Sequence, residues 1–150
     1  MEPSDDFMLR CIELGRAAEQ KGDTPIGSIV VREGRVIGEG IESVKVSMDF
    51  TAHAEIQAIR AACRSLKSFD LRGCSLYTTA EPCWMCSYAI RRTGIGHVVI
   101  GAPVPHVGGV TSRHSILTDP NITGWPEPPT ITWSNLRAEC ENLMQKRKIE

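Results

Sequence analysis

Apolar residues return at helical spacing over residues 6–21, where Phe7, Cys11, Leu14 and Ala18 define one stripe. Ser4 or Asp5 is placed to cap this segment and Gly22 to end it. The pattern then changes. IGSIVV (26–31) and RVIGE (35–39) are short, rich in β-branched residues and separated by Glu33-Gly34, which predicts two strands joined by a tight turn. Helical spacing resumes over 53–66 through Ile56, Ile59, Cys63 and Leu66, with Thr51 as a candidate cap. CSLYTT (74–79) and HVVIGA (97–102) read as strands on either side of a helix from Cys83 to Arg92. Pro103 to Pro129 is rich in Pro and Gly and lacks a period, so a long functional connection is expected there. Leu136, Cys140, Leu143 and Met144 mark a last helix over 134–147.

A strand pair followed by strand–helix–strand implies an α/β fold, one sheet with helices on both faces. A chain of 150 residues without repeats or a linker fits one domain over 1–150. Apolar residues at 41% and charges at 23% are ordinary for a globular protein. No apolar run approaches the roughly 20 residues that span a bilayer. The opening MEPSDDF is acidic and has no apolar segment, so no signal peptide is read there and a cytoplasmic protein with no membrane partner is expected. A net charge of −1 gives no general attraction to nucleic acid. The basic groups are brief: Arg91–Arg92, and Gln145-Lys146-Arg147-Lys148, which reads as a solvated helix end.

The six cysteines, Cys11, Cys63, Cys74, Cys83, Cys86 and Cys140, are too scattered for a disulfide framework. Cys11, Cys63 and Cys140 fall on apolar helical stripes, where Cys acts as a small hydrophobe. Only the pair in TAEPCWMCSYAIR (79–91) asks for chemistry, and three readings compete: a redox pair, a structural metal knot, or two ligands of a working metal. Upstream, TAHAEIQAIR (51–60) carries His53 and Glu55, so the joint pattern is His-x-Glu, 26 intervening residues, then Pro-Cys-x-x-Cys. One imidazole and two thiolates suit tetrahedral zinc. Cys83 and Cys86 lie at i and i+3 on one helix face, and a helix N-terminus favours the thiolate.

Three protein ligands leave a fourth position for water or hydroxide, as catalytic rather than structural zinc sites do. Zinc lowers the pKa of such a water from about 15.7 toward ~7. Glu55, two residues from His53, is placed to move protons between that water and a substrate. A redox pair would need no distant His-x-Glu. A structural knot would need a fourth ligand from His97, His106 or His114, which start a strand or sit in the long connection. Trp84 and Met85 are expected to line apolar walls.

The His-x-Glu and Pro-Cys-x-x-Cys pattern is shared by zinc-dependent base deaminases. DTPIGSIVVREGRVIGEG, DFTAHAEIQAIRAA and LYTTAEPCWMCSYAIRRTGIGHVVIGA resemble the cytidine-deaminase-like superfamily over roughly residues 5–102. The branch resembled contains tRNA adenosine deaminases, bacterial guanine deaminases and fungal cytosine deaminase. The resemblance implies a three-layer α/β/α fold with a central five-stranded mixed sheet, and a homodimer. It implies one Zn2+ per chain on His53, Cys83 and Cys86, with Glu55 as the proton carrier. It also implies that the backbone N–H groups of Ala54 and Cys83 help to orient substrate and attacking oxygen. Pro25 and Gly27 match the family's Pro-x-Gly beside the pocket.

The substrate is read with less help. Relatives commonly carry Asn eleven residues before the ligand His, where this chain has Glu42. An ionised Glu offers only acceptors, which suits a ring edge rich in N–H groups; alternatively Glu42 faces solvent and Ser43 serves instead. RNA loops are usually held by basic and aromatic residues, and aromatics are 5% of this chain. The expectation is therefore a small heterocyclic substrate, a free nucleobase, guanine-like before cytosine. A tRNA adenosine-to-inosine deaminase is the alternative, with tRNA the less favoured partner, and a structural zinc module is the alternative outside enzymes. The connection 103–133 is expected to face the substrate, with Asp119, Trp125 and Trp133 as its residues of interest.

Overall fold

The computed structural model describes residues 4–145. The basic tail at Lys146–Lys148 and the last two residues of the predicted 134–147 helix lie outside them. The elements are α1 (Asp5–Gln20), β1 (Gly27–Arg32), β2 (Arg35–Ile41), α2 (Val44–Ser47), α3 (Ala54–Leu66), β3 (Cys74–Ala80), α4 (Trp84–Thr93), β4 (His97–Ala102), β5 (Thr130–Trp133) and α5 (Arg137–Gln145). They form one five-stranded sheet in the order β2-β1-β3-β4-β5. β1 pairs antiparallel with β2 and β3, whereas β3, β4 and β5 run parallel. No helix among the described residues is long and apolar enough to cross a membrane.

Local chemistry accounts for most of these boundaries. Asp5 and Asp6 place negative charge in the first turn of α1, where the helix dipole favours it. Glu33 and Gly34 both take positive φ, at 50° and 75°, as a two-residue turn matched to strand twist requires. α4 ends at Gly94 in the left-handed conformation, a common helix stop. α3 is capped by His53 in extended conformation and not by Thr51, which instead bonds to Asp49.

Side chains alternate across the sheet with the period of two that strands impose. Ile29, Val31, Tyr77 and Val99 join Met8, Cys11, Ile12, Cys140 and Leu143 beneath α1 and α5. Val30, Leu76, Val98 and Ile100 join Ala58, Ile59, Ala62 and Ile90 beneath α3 and α4. The fold is thus helices, sheet, helices, with a core on each face.

Two elements escaped the periodic reading. β5 lies inside the stretch 103–133 expected to be a loop, and it has four half-exposed or exposed residues, too few for a pattern. α2 is a single turn with no buried residue. The last helix starts at Arg137, three residues later than predicted, because Ser134 accepts the Leu136 N–H through its hydroxyl and holds a turn there. The long stretch 103–129 is the crossover that two parallel strands need. It covers the α3/α4 face in place of a helix, with Leu117 fully buried in that core.

Close approach fixes α3 over β2. A Cβ at Gly40 would fall on the carbonyl oxygen of Ala54 and within 2.6 Å of the Ala58 nitrogen, so both helix and strand backbone would have to move. Gly40→Ala is expected to cost about 2–3 kcal/mol in urea unfolding, because overpacking here meets backbone and not a flexible side chain.

Candidate active site

At one end of the sheet β2, β3 and β4 end and β1 begins, and the N-termini of α3 and α4 meet there. His53 is the cap residue of α3 and Cys83 that of α4. Their side chains therefore project from the first turns instead of being spent on the helix surface. The Nδ1 atom of His53 lies 3.5 Å from the Cys83 sulfur and 3.5 Å from the Cys86 sulfur. All three donor atoms fall within 4.8 Å of one another. A tetrahedral zinc with Zn–S of about 2.3 Å and Zn–N of about 2.05 Å separates sulfur from nitrogen by about 3.6 Å, so the spacing and the donor chemistry both fit that ion.

The protein's own groups favour the ligating thiolate at Cys83 and the protonated forms of Cys86 and His53, so binding a metal there displaces protons. The Cys83 thiol is held down to about 4, first by its hydrogen bond with Cys86 and then, against the cost of burial, by His53. Cys86 is pushed up, first by that same bond and then by burial. His53 is raised to about 9, chiefly by its contact with Cys83. Glu55, 3% exposed, is pushed up to about 8 by burial and by the charge of Glu42. Burial also lifts Glu42.

A cavity of about 290 Å³ opens beside this cluster, lined among others by Ile26, Glu42, His53, Glu55, Cys83 and Val104. Glu42 is buried, and its Oε1 accepts the Ala54 N–H at 2.8 Å. Glu42 thus faces the cavity, and the Ala54 N–H expected to orient a substrate is already engaged by it. Pro25 is buried one residue from the wall, which Thr24 and Ile26 supply. Lys45 and His106 stand on the wall as exposed polar groups.

The structure does not bring Trp84, Asp119 or Trp125 to this cavity. Trp84 lies between the thiols in sequence but about 100° round the helix from each neighbour. Its Nε1–H donates to Ser112 Oγ at 3.1 Å, and its ring meets His114 edge-on. Trp125 packs under Arg91, whose guanidinium carbon is 5.0 Å from the ring centre, and against Tyr88. Asp119 gives its backbone oxygen to Arg91 Nη1 and its carboxylate to the Asn121 N–H.

Two residues were missed by sequence reasoning. Asp23, buried, accepts the N–H groups of Lys45 and Val46 and so caps α2 from 22 residues away. Glu81, buried on the cavity side of β3, binds the 104–111 stretch. The visible signal for Glu81 was an acid two residues before Cys83 in TAEPC; Asp23 offered none.

Residues 1–102 match the family described as the cytidine and deoxycytidylate deaminase zinc-binding region, and the chain belongs to it. It is a zinc-dependent hydrolytic deaminase that carries one Zn2+ per chain. A tRNA-specific adenosine deaminase of Aquifex aeolicus (strain VF5) is 42% identical over 136 residues, covering 89% of this chain and 90% of the relative. Another with that description, from Streptococcus pyogenes serotype M1, is 34% identical, with 97% of this chain and 83% of the relative covered. Among solved structures, one from work on A-to-I editing by tRNA:A34 deaminases superposes with a TM-score of 0.86 at 33% identity, covering 93% of this chain and 99% of that one. The guanine deaminase of Bacillus subtilis gives 0.66 at 28% identity, with 98% and 95% covered.

These relatives correct the expected substrate. The free nucleobase, guanine-like or cytosine, and the low standing of tRNA as partner are overturned by 34–42% identity to tRNA-specific adenosine deaminases over most of the chain. Net charge and aromatic content average over the whole molecule, whereas the cavity wall has exposed polar groups of its own in Lys45 and His106.

Arg91 holds the crossover that covers this region. Its Nη1 donates to the carbonyls of Ile116 and Asp119 at 2.8 and 2.9 Å, and its Nη2 to Pro126 at 2.7 Å. Arg91→Ala leaves three carbonyls without a donor and is expected to cost about 3 kcal/mol in urea unfolding.

Proposed function

We propose that this chain converts adenosine to inosine within a tRNA, with His53, Cys83 and Cys86 holding the zinc and Glu55 moving the protons. The observation that carries this reading is the similarity to tRNA-specific adenosine deaminases, which runs past the family region into the crossover and covers 89% of the chain. The balance is adenosine plus water giving inosine plus ammonia. Zinc, when bound, supplies a Lewis acid that makes water nucleophilic at neutral pH.

The protein's own groups do the rest. Glu55 reaches the cavity from the first turn of α3; it carries one proton from water to a ring nitrogen, which makes the adjacent carbon electrophilic, and then the second proton of that water to the departing amine. The buried cavity positions the base and limits competing water. Glu42 holds the Ala54 N–H and so fixes the helix turn on which His53 and Glu55 stand. Lys45 and His106 at the wall are placed for phosphate or ribose oxygens of a flanking nucleotide. The chain acts as a homodimer, a reading supported by the apolar surface at Met48 and Phe50 and tested by sedimentation equilibrium.

Incubation with an anticodon stem-loop carrying adenosine at the wobble position is expected to give inosine by mass spectrometry, with no ammonia from free guanine or cytosine. Ammonia from a free base with an untouched stem-loop overturns the reading. Glu55→Gln is expected to keep its zinc and lose at least about 10³-fold in kcat, a loss typical of a removed proton carrier. Cys83→Ala is expected to lose zinc and activity together by elemental analysis and inosine assay.

A further inference from the structure

We infer that Glu81 is a positioning residue whose carboxylate closes the 104–111 segment into a fixed wall of the cavity and thereby sets how tightly substrate is held. Glu81 follows the last residue of β3 and is 3% exposed. Its Oε1 accepts the Val104 N–H at 2.8 Å and the Thr111 hydroxyl at 2.6 Å. Its Oε2 accepts the N–H groups of Val110 and Thr111 at 2.8 and 2.7 Å. Four donors fill the acceptor capacity of a carboxylate. Glu81 therefore has no lone pair to offer a substrate and no role as a proton carrier; what it can do is hold backbone.

The backbone it holds has both of its ends on that one side chain. Val104 enters the segment, Val110 and Thr111 leave it, and the residues between them have no strand or helix of their own. Val104, His106 and Val107 from this segment line the cavity together with His53, Glu55 and Cys83. Two further contacts register the segment against the zinc-ligand turn: the Gly109 N–H donates to the Pro82 carbonyl at 2.8 Å, and Gly108 pairs with Cys83 as an isolated bridge. Gly108 passes so close to Glu81 that a Cβ there would fall on the carboxylate. Only an acceptor at position 81 satisfies this arrangement. An amide would turn an N–H₂ group toward two of these donors, and even with the Thr111 hydroxyl rotated to accept from it the Val104 N–H is left unpaired.

The inference rests on the proposed function only for its kinetic readout; its structural readout stands alone. Zinc-loaded Glu81→Gln is expected to keep one zinc per chain and to exchange the backbone amides of 104–111 at least about tenfold faster, with β3 and β4 unchanged, by hydrogen-exchange mass spectrometry. For the stem-loop, KM is expected to rise about tenfold with kcat within about twofold, since a loosened wall weakens binding in ground and transition states alike. Thr111→Val, which removes one donor, is expected to speed exchange in the same segment by a smaller factor, and Thr111→Ser to restore protection. Unchanged exchange in Glu81→Gln, or a fall in kcat with KM unmoved, overturns the assignment. If Glu81→Gln does not fold, the Thr111 pair decides by exchange. If the wild-type protein leaves the stem-loop unaltered, the proposed function falls and exchange alone decides the anchor.

Discussion

Two helix N-termini meet at one end of the sheet, and everything chemical in this protein follows from that meeting. His53 caps α3 and Cys83 caps α4, so an imidazole and two thiols come within 3.5 Å contacts without either helix being distorted. The orientation of the helices is set by the sheet beneath them. α3 rests on β2 through the small residues Gly40 and Gly38, while α4 is the crossover between the parallel strands β3 and β4. Helix dipoles then place positive potential where thiolates are needed.

Around that meeting point the molecule uses buried carboxylates as anchors for backbone. Asp23 holds the start of α2, Glu42 the first N–H of α3, and Glu81 the ends of the 104–111 segment. Arg91 does the converse, donating to three carbonyls of the crossover. Buried polar groups cost stability unless they are paired, and these anchors are paired to backbone groups that helix starts and irregular connections leave without a partner. The Nε of Arg91 is the exception among the described residues. Irregular connections thereby form cavity walls with fixed positions, which a catalytic site requires.

The substrate is where whole-chain properties misled. A net charge of −1 and few aromatics speak about the average surface and about solubility. They say nothing of the wall of one cavity, whose lining comes from the segment before β1, the residue after β2, α2, α3, the end of β3, the start of α4, the crossover and α5. Glu42 shows the same limit at one residue. Acceptor-only chemistry was legible, but its partner is the Ala54 N–H, so that oxygen serves the protein as well as facing the cavity.

Periodicity alone located α1, the β1–β2 hairpin, α3, β3, α4 and β4 to within a residue or two, because each buries a face and burial imprints a repeat of 3.6 or 2. The zinc-ligand pattern was equally plain, since His-x-Glu and Pro-Cys-x-x-Cys are short and chemically narrow. β5, α2 and the fate of Trp84, Asp119 and Trp125 were not legible. β5 is stabilised by pairing with β4, and the tryptophans by a buried arginine and a serine far away in the chain. Contacts between distant segments leave no local repeat, so their consequences emerge when the chain closes on itself: which wall faces the cavity, and which acid holds it.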